Sequence, residues 1–353
     1  MHRLHDLSCV VHLHSTYSDG TGTVPEIARA AAHAGADVVL LTDHDTLEAR
    51  RRGEEGHYGP VLVLVGHEVS PPNRNHMLAF DTETEIRHRG LSATEIAQAV
   101  RAAGGFGFAA HPFSHGSKRF GRLGSLGTAM AWEDLDCLDG IEVWSFLSDN
   151  GENVSSVRDA VSFIARPERY VTHPPQGNLD EWDRLGARRR VVGIGGLDAH
   201  QFGRRIGGHV IRAMGYARTF RQLRTHVLTE GALTGELDHD RRQVYGALRE
   251  GRCYIAASAV APARGFRFWA AGAGGELPMG GEGAAADGPW DLRAELPRPA
   301  AVRLLRDGEE VTRAQTPTLA HRASAAGVYR VEARLEAHGR ERTWILSNPI
   351  YLR

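Results

Sequence analysis

From the first residues to about position 260, short apolar runs alternate with amphipathic stretches. The segment LSCVVHLH (7–14) reads as a strand with a polar end. VVLLT (38–42), VLVLV (61–65), HMLAF (76–80), FGFAA (106–110), GIEVW (140–144) and VVGIGG (191–196) read as further strands. Thr23, with Glu26 three positions on, forms a capping-box pattern that opens a helix through Ala34. Ser92 and Glu95 repeat it before EIAQAVRAA. Strands alternating with helices predict parallel βα units and an α/β fold. About seven such units suffice to close a barrel rather than leave an open sheet.

After residue 261 the pattern changes. RGFRFWA, WDLRAELP, AVRLLRDGEEV, GVYRVEARL and RTWILSNPIYLR are strand-like, with no helical period between them. Arg306-Asp307-Gly308-Glu309 carries a hairpin-turn signal. The Gly- and Ala-rich stretch 271–288 reads as a mobile loop. The chain thus divides into an α/β part, 1–260, and a small all-β, sandwich-like part, 261–353.

Composition narrows the class. Hydrophobic residues make up 42% and charged residues 24% of 353, which excludes disorder as the main state. Lys plus Arg is 42 against 43 for Asp plus Glu, so the surplus of positive charge that nucleic-acid or polybasic membrane binding needs is missing. No run approaches the ~18 apolar residues of a membrane span. MHRLHDLSCVVHLH lacks a long apolar core and a small-residue cleavage site, so no secretion signal is expected. Cys9, Cys137 and Cys253 are too few and too far apart for a disulfide framework or a thiolate zinc site, which favours the cytoplasm. Lys118 is the only lysine, and histidine is abundant at 19.

The histidines and acids sit directly after the strands. His12 and His14 end the first strand, and Asp19 follows in its loop. Asp43-His44-Asp45 follows VVLLT, Glu68 follows VLVLV, His76 opens HMLAF, His111 ends FGFAA, and Asp198 and His200 follow VVGIGG. In parallel α/β folds the carboxyl ends of the strands meet on one face, where sites are built. Residues two apart on a strand share a face, so His12 with His14, and Asp198 with His200, are expected to point the same way. Nine imidazole and carboxylate donors on one rim suit zinc, manganese or iron, and exceed the needs of one ion. No lysine lies on this rim to bridge two metals as a carbamate, so Glu68 is the natural bridge. The histidines elsewhere are read as surface or packing residues.

HLHSTYSDG, LLTDHDT, GHE, AAHP and LDAH, in this order, resemble the signatures of the PHP (polymerase and histidinol phosphatase) superfamily over residues 10 to about 201. The resemblance implies a distorted seven-stranded (β/α) barrel of PHP type and a site for two or three divalent ions. It implies a first metal on His12, His14, Glu68 and Asp198. A second would share Glu68 and add His76 and His111, and a third would take Asp19, His44 and His200. LDAH stands where the family commonly has a serine in place of Leu197, and Ser145 stands where relatives often have asparagine. GVYRVEARL and RTWILSNPIYLR resemble the β-domain of the branch that includes carbamate hydrolases.

Three divalent ions would bring about +6 against −3 from Asp19, Glu68 and Asp198, a field that favours an anionic substrate or transition state. A water between two such ions ionises near neutral pH and attacks phosphorus or a carbonyl carbon. Asp43 and Asp45 are the candidate acceptors behind the imidazoles, with Glu142 a more distant one. Lys118, Arg119 and Arg122 after His111, and Arg204 and Arg205 after His200, are placed to bind a phosphate. The expected activity is a metal-dependent phosphoesterase acting on a small anionic phosphate ester. The alternative is hydrolysis of a carbamate, carboxylic ester or amide on the same metals, favoured if Trp132, Trp144 and Phe113 line the pocket. A non-catalytic binding module is the reading from a different class.

Overall fold

The computed structural model describes residues 4–72, 75–114, 135–152, 154–201, 203–206, 209–212 and 214–353, with the backbone alone for 203–206 and 209–212. It is a mixed α/β structure with one large sheet and a strand-rich C-terminal part.

The first strand, His5–Val11, leads through a helix, Val24–Ala34, into a parallel strand, Val38–His44. The helix forms where the sequence places its signals. Glu26 accepts a hydrogen bond from the Thr23 amide at 2.9 Å. Val24, Ile27, Ala28 and Ala31 recur at helical spacing and are buried. Gly35 ends the helix with φ 73°, a left-handed turn that costs glycine nothing. Val61–Val69 pairs in parallel with Val38–His44. Both strands are apolar on both faces because both faces are covered.

Met77–Phe80 departs from the parallel pattern. It runs antiparallel to Val61–Val69 and to Phe106–Ala109. The connection from Val69 is too short for the crossover that a parallel return requires. Parallel pairing resumes from Phe106–Ala109 to Gly140–Ser145 and on to Val192–Gly196. Beyond that strand the chain meets the first strand again. Leu197 N donates to Val11 O at 3.0 Å, Ala199 N to His12 O at 3.2 Å, and His14 N to Ala199 O at 2.9 Å.

Several strands of the first part escape the apolar-run reading, two of them beside the first strand in the large sheet. Arg224–Thr229 pairs antiparallel with the first strand, and Cys253–Ala256 pairs with it in turn. RTHVLT carries Arg, Thr and His at buried positions, each held by a polar partner, so it has no apolar run to read. Cys253–Ala256 also pairs with Arg340–Ser347, so the sheet continues into the C-terminal part.

There Trp290–Arg306 and Glu309–Ala323 form a long hairpin. Its turn is Asp307-Gly308, with φ 55° and 84°, the two positive values that a tight two-residue hairpin demands. WDLRAELP and AVRLLR belong to a single strand, with a register shift between Glu295 and Ala300 where Pro297 and Pro299 cannot donate. The stretch 271–288 is not simply a loop. Gly275–Pro278 pairs with Arg267–Gly272, Glu282–Gly283 pairs with Ile350–Leu352, and Met279 is buried. Its glycines serve close packing: a Cβ on Gly272 or Gly283 would stand within 3 Å of Trp290. The C-terminal core gathers Phe266, Phe268, Trp290, Val302, Tyr329 and Trp344, and draws in Leu228, Tyr254 and Ala256 from the first part.

Candidate functional site

Nine side chains converge where the strands end. The backbone bends sharply there: His12 has φ 63°, His111 φ 30° and Asp198 φ 51°, all in the left-handed region that ordinary residues avoid. Such residues cost about 1–3 kcal/mol each and are enriched at functional sites. This corrects the pleat argument. The first strand ends at Val11, so His12 and His14 meet through a bend and not through extended-strand alternation. Their ring centroids lie 5.5 Å apart.

Glu68 is the hub. Its Oε2 lies 3.3 Å from His12 Nε2, 3.3 Å from His14 Nε2 and 3.2 Å from His44 Nδ1. Its Oε1 lies 2.8 Å from His76 Nδ1 and 3.3 Å from His111 Nε2. Asp198 Oδ1 stands 3.4 Å from both His12 Nε2 and His14 Nε2. Asp19 Oδ1 approaches His200 Nε2 at 3.2 Å, His44 Nε2 at 3.7 Å and His14 Nδ1 at 3.8 Å. Three overlapping groups have donor atoms close enough to share an ion: His12, His14, Glu68 and Asp198; His14, Asp19, His44 and His200; and His44, Glu68 and His76.

His12, His14, Glu68, His111, Asp198 and His200 are buried, His44 and His76 half-buried and Asp19 exposed, and the electrostatics of the inner group are unbalanced. Burial disfavours the Glu68 carboxylate, but His12, His76 and His44 outweigh it and hold the group well below the usual range. Asp198 behaves likewise, with His12 as its main counterweight. Burial and the charge of His200 press His14 down to about 3, so its imidazole is neutral, the form that coordinates a metal. Burial also opposes the charged form of His200, but Asp19 and Asp198 raise it to about 9.

The donor set fits divalent cations on its own geometry. His12 Nε2, both ring nitrogens of His14 and Glu68 Oε2 are buried and make no hydrogen bond. Leaving a buried polar atom unsatisfied costs about 1–3 kcal/mol, and His12 Nε2, His14 Nε2 and Glu68 Oε2, gathered in one set with Asp198, call for a group that accepts their lone pairs. Imidazole with carboxylate is a donor set for zinc, manganese or iron.

Behind the donors the structure reassigns several expectations. Glu142 is the acceptor behind His12 and is not distant: His12 Nδ1 lies 3.0 and 3.1 Å from its two oxygens, and the His111 amide donates to Oε2 at 2.7 Å. Among the described residues, Asp43 accepts instead from the Ser15 amide and hydroxyl and from the Ser18 hydroxyl, each at 2.7 Å, which shapes the loop that presents Asp19. Asp45 accepts from the Ser70 amide at 2.8 Å and pairs with His88 at 3.3 Å. Ser148, which the sequence reading passed over, donates to Asp198 Oδ2 at 2.5 Å. Ser70 lies 2.6 Å from His44 Nδ1. Neither serine stands in a recognisable motif. Lys118, Arg119, Arg122 and Trp132 lie outside the described residues, as do the side chains of Arg204 and Arg205. Trp144 is only 2% exposed and packs in the core, so it lines no open pocket.

No family model matches the chain. An uncharacterized protein of Methanocaldococcus jannaschii is 28% identical over 154 residues, which cover 40% of this chain and 83% of that protein. A phosphoribosyl 1,2-cyclic phosphate 1,2-diphosphodiesterase of Eggerthella lenta is 32% identical over 93 residues, 26% of this chain and 33% of its own length. Among solved structures, a two-domain protein of Bacteroides vulgatus containing a predicted PHP-like metal-dependent phosphoesterase aligns with 98% of this chain and 95% of its own, at 15% identity and a TM-score of 0.44. The motifs of the chain resemble those of the PHP superfamily.

Proposed function

We propose that this chain is a metal-dependent phosphoesterase of PHP type acting on a small anionic phosphate ester. One observation carries the reading: donors from separate sequence motifs meet in one cluster, at whose buried centre His12 Nε2, His14 Nε2 and Glu68 Oε2 make no hydrogen bond. In this reading His12, His14, Glu68 and Asp198 hold one divalent cation. Glu68, with His76 and His111, serves a second, and Asp19, His44 and His200 a third. The bound cations would supply a Lewis acid for a substrate oxygen and lower the pKa of a water. The chain's own residues set the stage. Glu142 fixes the His12 ring through Nδ1 and leaves Nε2 for the cluster. Ser148 orients Asp198. The bonds that return the strand order to its start support a distorted seven-stranded barrel over 1–260 with its site at the strand ends, followed by a β-sandwich over 261–353. The odd number and wide spacing of Cys9, Cys137 and Cys253 accord with a cytoplasmic location.

A second reading keeps the cations and changes the substrate to a carbamate, carboxylic ester or amide. It is favoured by the C-terminal strands, which resemble those of the carbamate-hydrolysing branch.

A panel of nitrophenyl phosphate mono- and diesters, nucleotides and naphthyl carbamates, assayed with added manganese or zinc, separates the two. Turnover of the phosphates that disappears in His14→Ala and Asp198→Ala, with cooperative unfolding retained, is the expected result. Turnover of the carbamates alone would replace the first reading by the second, and phosphate turnover retained in both variants would remove the cluster from the reaction.

A further inference from the structure

A cavity of about 540 Å³ opens beside the first strand. Ser8, midway along that strand, lines it, and the strand ends at Val11, so roughly 10 Å of strand lies between the cavity and the bend that carries His12, at ~3.3 Å per residue. Three exposed arginines form its rim: Arg218, which donates to Ile164 O and Ala165 O, Arg264, which pairs with Asp37 at 2.6 Å, and Arg221; among the described residues Glu168 is the one acidic lining residue. Buried Ser8, Gln222, Arg224 and His226 form its floor.

The floor is built and fixed. Ser8 and His226 are cross-strand partners, so they stand side by side. Asp6 Oδ1 holds His226 Nδ1 at 2.6 Å. Arg224 donates to Phe220 O, Ser8 Oγ, Gly35 O and Ala34 O, which engages four of its five donors. Part of this charge has a structural task, since Arg221 and Arg224 reach the last carbonyls of the helix Val24–Ala34. That task does not account for the whole arrangement. Arg221 bonds His33 O at 3.2 Å through one nitrogen of a guanidinium that carries five donors. Gln222 is 4% exposed, gives its amide nitrogen to Arg218 O at 2.8 Å, and leaves Oε1 buried without a hydrogen bond. A buried acceptor without a donor, beneath a rim of arginines, asks for a ligand that brings both a hydroxyl and an anion.

We propose that this cavity binds a small phosphate ester with a free hydroxyl, at a site separate from the histidine–carboxylate cluster. Arg221 takes the phosphate oxygens by its forked donors, Arg218 and Arg264 add positive charge from beside it, and Gln222 Oε1 accepts from the hydroxyl.

Calorimetric titration of the full chain, kept in a chelator so that the cluster holds no cation, tests this with three probes: inorganic phosphate, glycerol 3-phosphate and glycerol. Glycerol 3-phosphate should bind saturably, and more tightly than phosphate, while glycerol gives no binding. Arg221→Ala, at an exposed position, should weaken both anions by about tenfold or more. Gln222→Met, which keeps the volume and removes the acceptor, should bring the ester down to the affinity of phosphate. His14→Ala should bind as wild type. No saturable binding of either anion, unchanged binding in Arg221→Ala, or binding lost in His14→Ala would overturn the proposal, and the last would assign the anion to the cluster instead.

Discussion

Glu68 touches five of the six imidazoles in the cluster, and its position depends on residues that hold no ligand role themselves. Gly196 is one. A Cβ there would stand 1.8 Å from Glu142 Oε1 and 3.0 Å from His12 Cβ, so only glycine leaves room for the Glu142–His12 pair. Gly196→Ala is expected to cost about 1–3 kcal/mol in stability by overpacking. It should also lower metal affinity by roughly 10–100-fold, as loss of an outer acceptor does. Denaturant unfolding and metal titration of the purified variant check both numbers. Asp6 lies near the start of the first strand, outside the cluster, and gives a test free of metal. Burial works against its ionised form, but the His226 ring, the Gly265 amide and the Tyr254 hydroxyl outweigh it and hold the pKa at about 2 instead of 3.8. A folded pKa below the unfolded one stabilises above pH about 4, and the gain is lost as pH falls through about 2. The stability gap between wild type and Asp6→Asn should therefore shrink by about 2 kcal/mol between pH 5 and pH 2, measured by urea unfolding at each pH.

Elements were legible where one local rule decided them. The capping box at Ser92 is present: Glu95 Oε2 accepts from the Ser92 amide at 2.8 Å, and Ser92 Oγ accepts from the Glu95 amide at 3.3 Å. Ser92→Ala should cost about 1 kcal/mol in thermal or denaturant unfolding. The Asp307-Gly308 hairpin was equally local. Strand direction was not. Nothing in HMLAF says that it runs antiparallel; that follows from the shortness of its connection. RTHVLT stayed hidden because its polarity is satisfied by tertiary partners such as Gly195, whose amide bonds Thr225 Oγ1 at 2.9 Å. The candidate donors were legible because metal-competent residues at the ends of several strands form a joint pattern. The bends at His12, His111 and Asp198, and the serines behind His44 and Asp198, were not, because they are set by contacts distant in sequence.

At the scale of the molecule, the α/β part and the C-terminal strands are joined by buried polar contacts. Asn348 donates to Gly193 O at 2.8 Å and Cys253 O at 2.9 Å, and accepts from the Gly193 amide at 2.8 Å. Arg330, 2% exposed, is held by both Asp183 oxygens at 2.7 Å and by Glu332 at 2.5 Å. Asp183→Ala leaves Arg330 with Glu332 as its charged partner but strands two of its donors, so it should cost about 1–3 kcal/mol. With Asn348 intact, tryptophan fluorescence and circular dichroism should still report one shared transition; two separate transitions would mean that the parts unfold independently. The central claim, that the strand-end cluster is a site for several divalent cations, is tested most directly by elemental analysis of the chain after reconstitution with manganese, zinc or iron and removal of excess metal. The account predicts two or three ions per wild-type chain, with fewer in His14→Ala. Less than one ion per chain with every metal would contradict it.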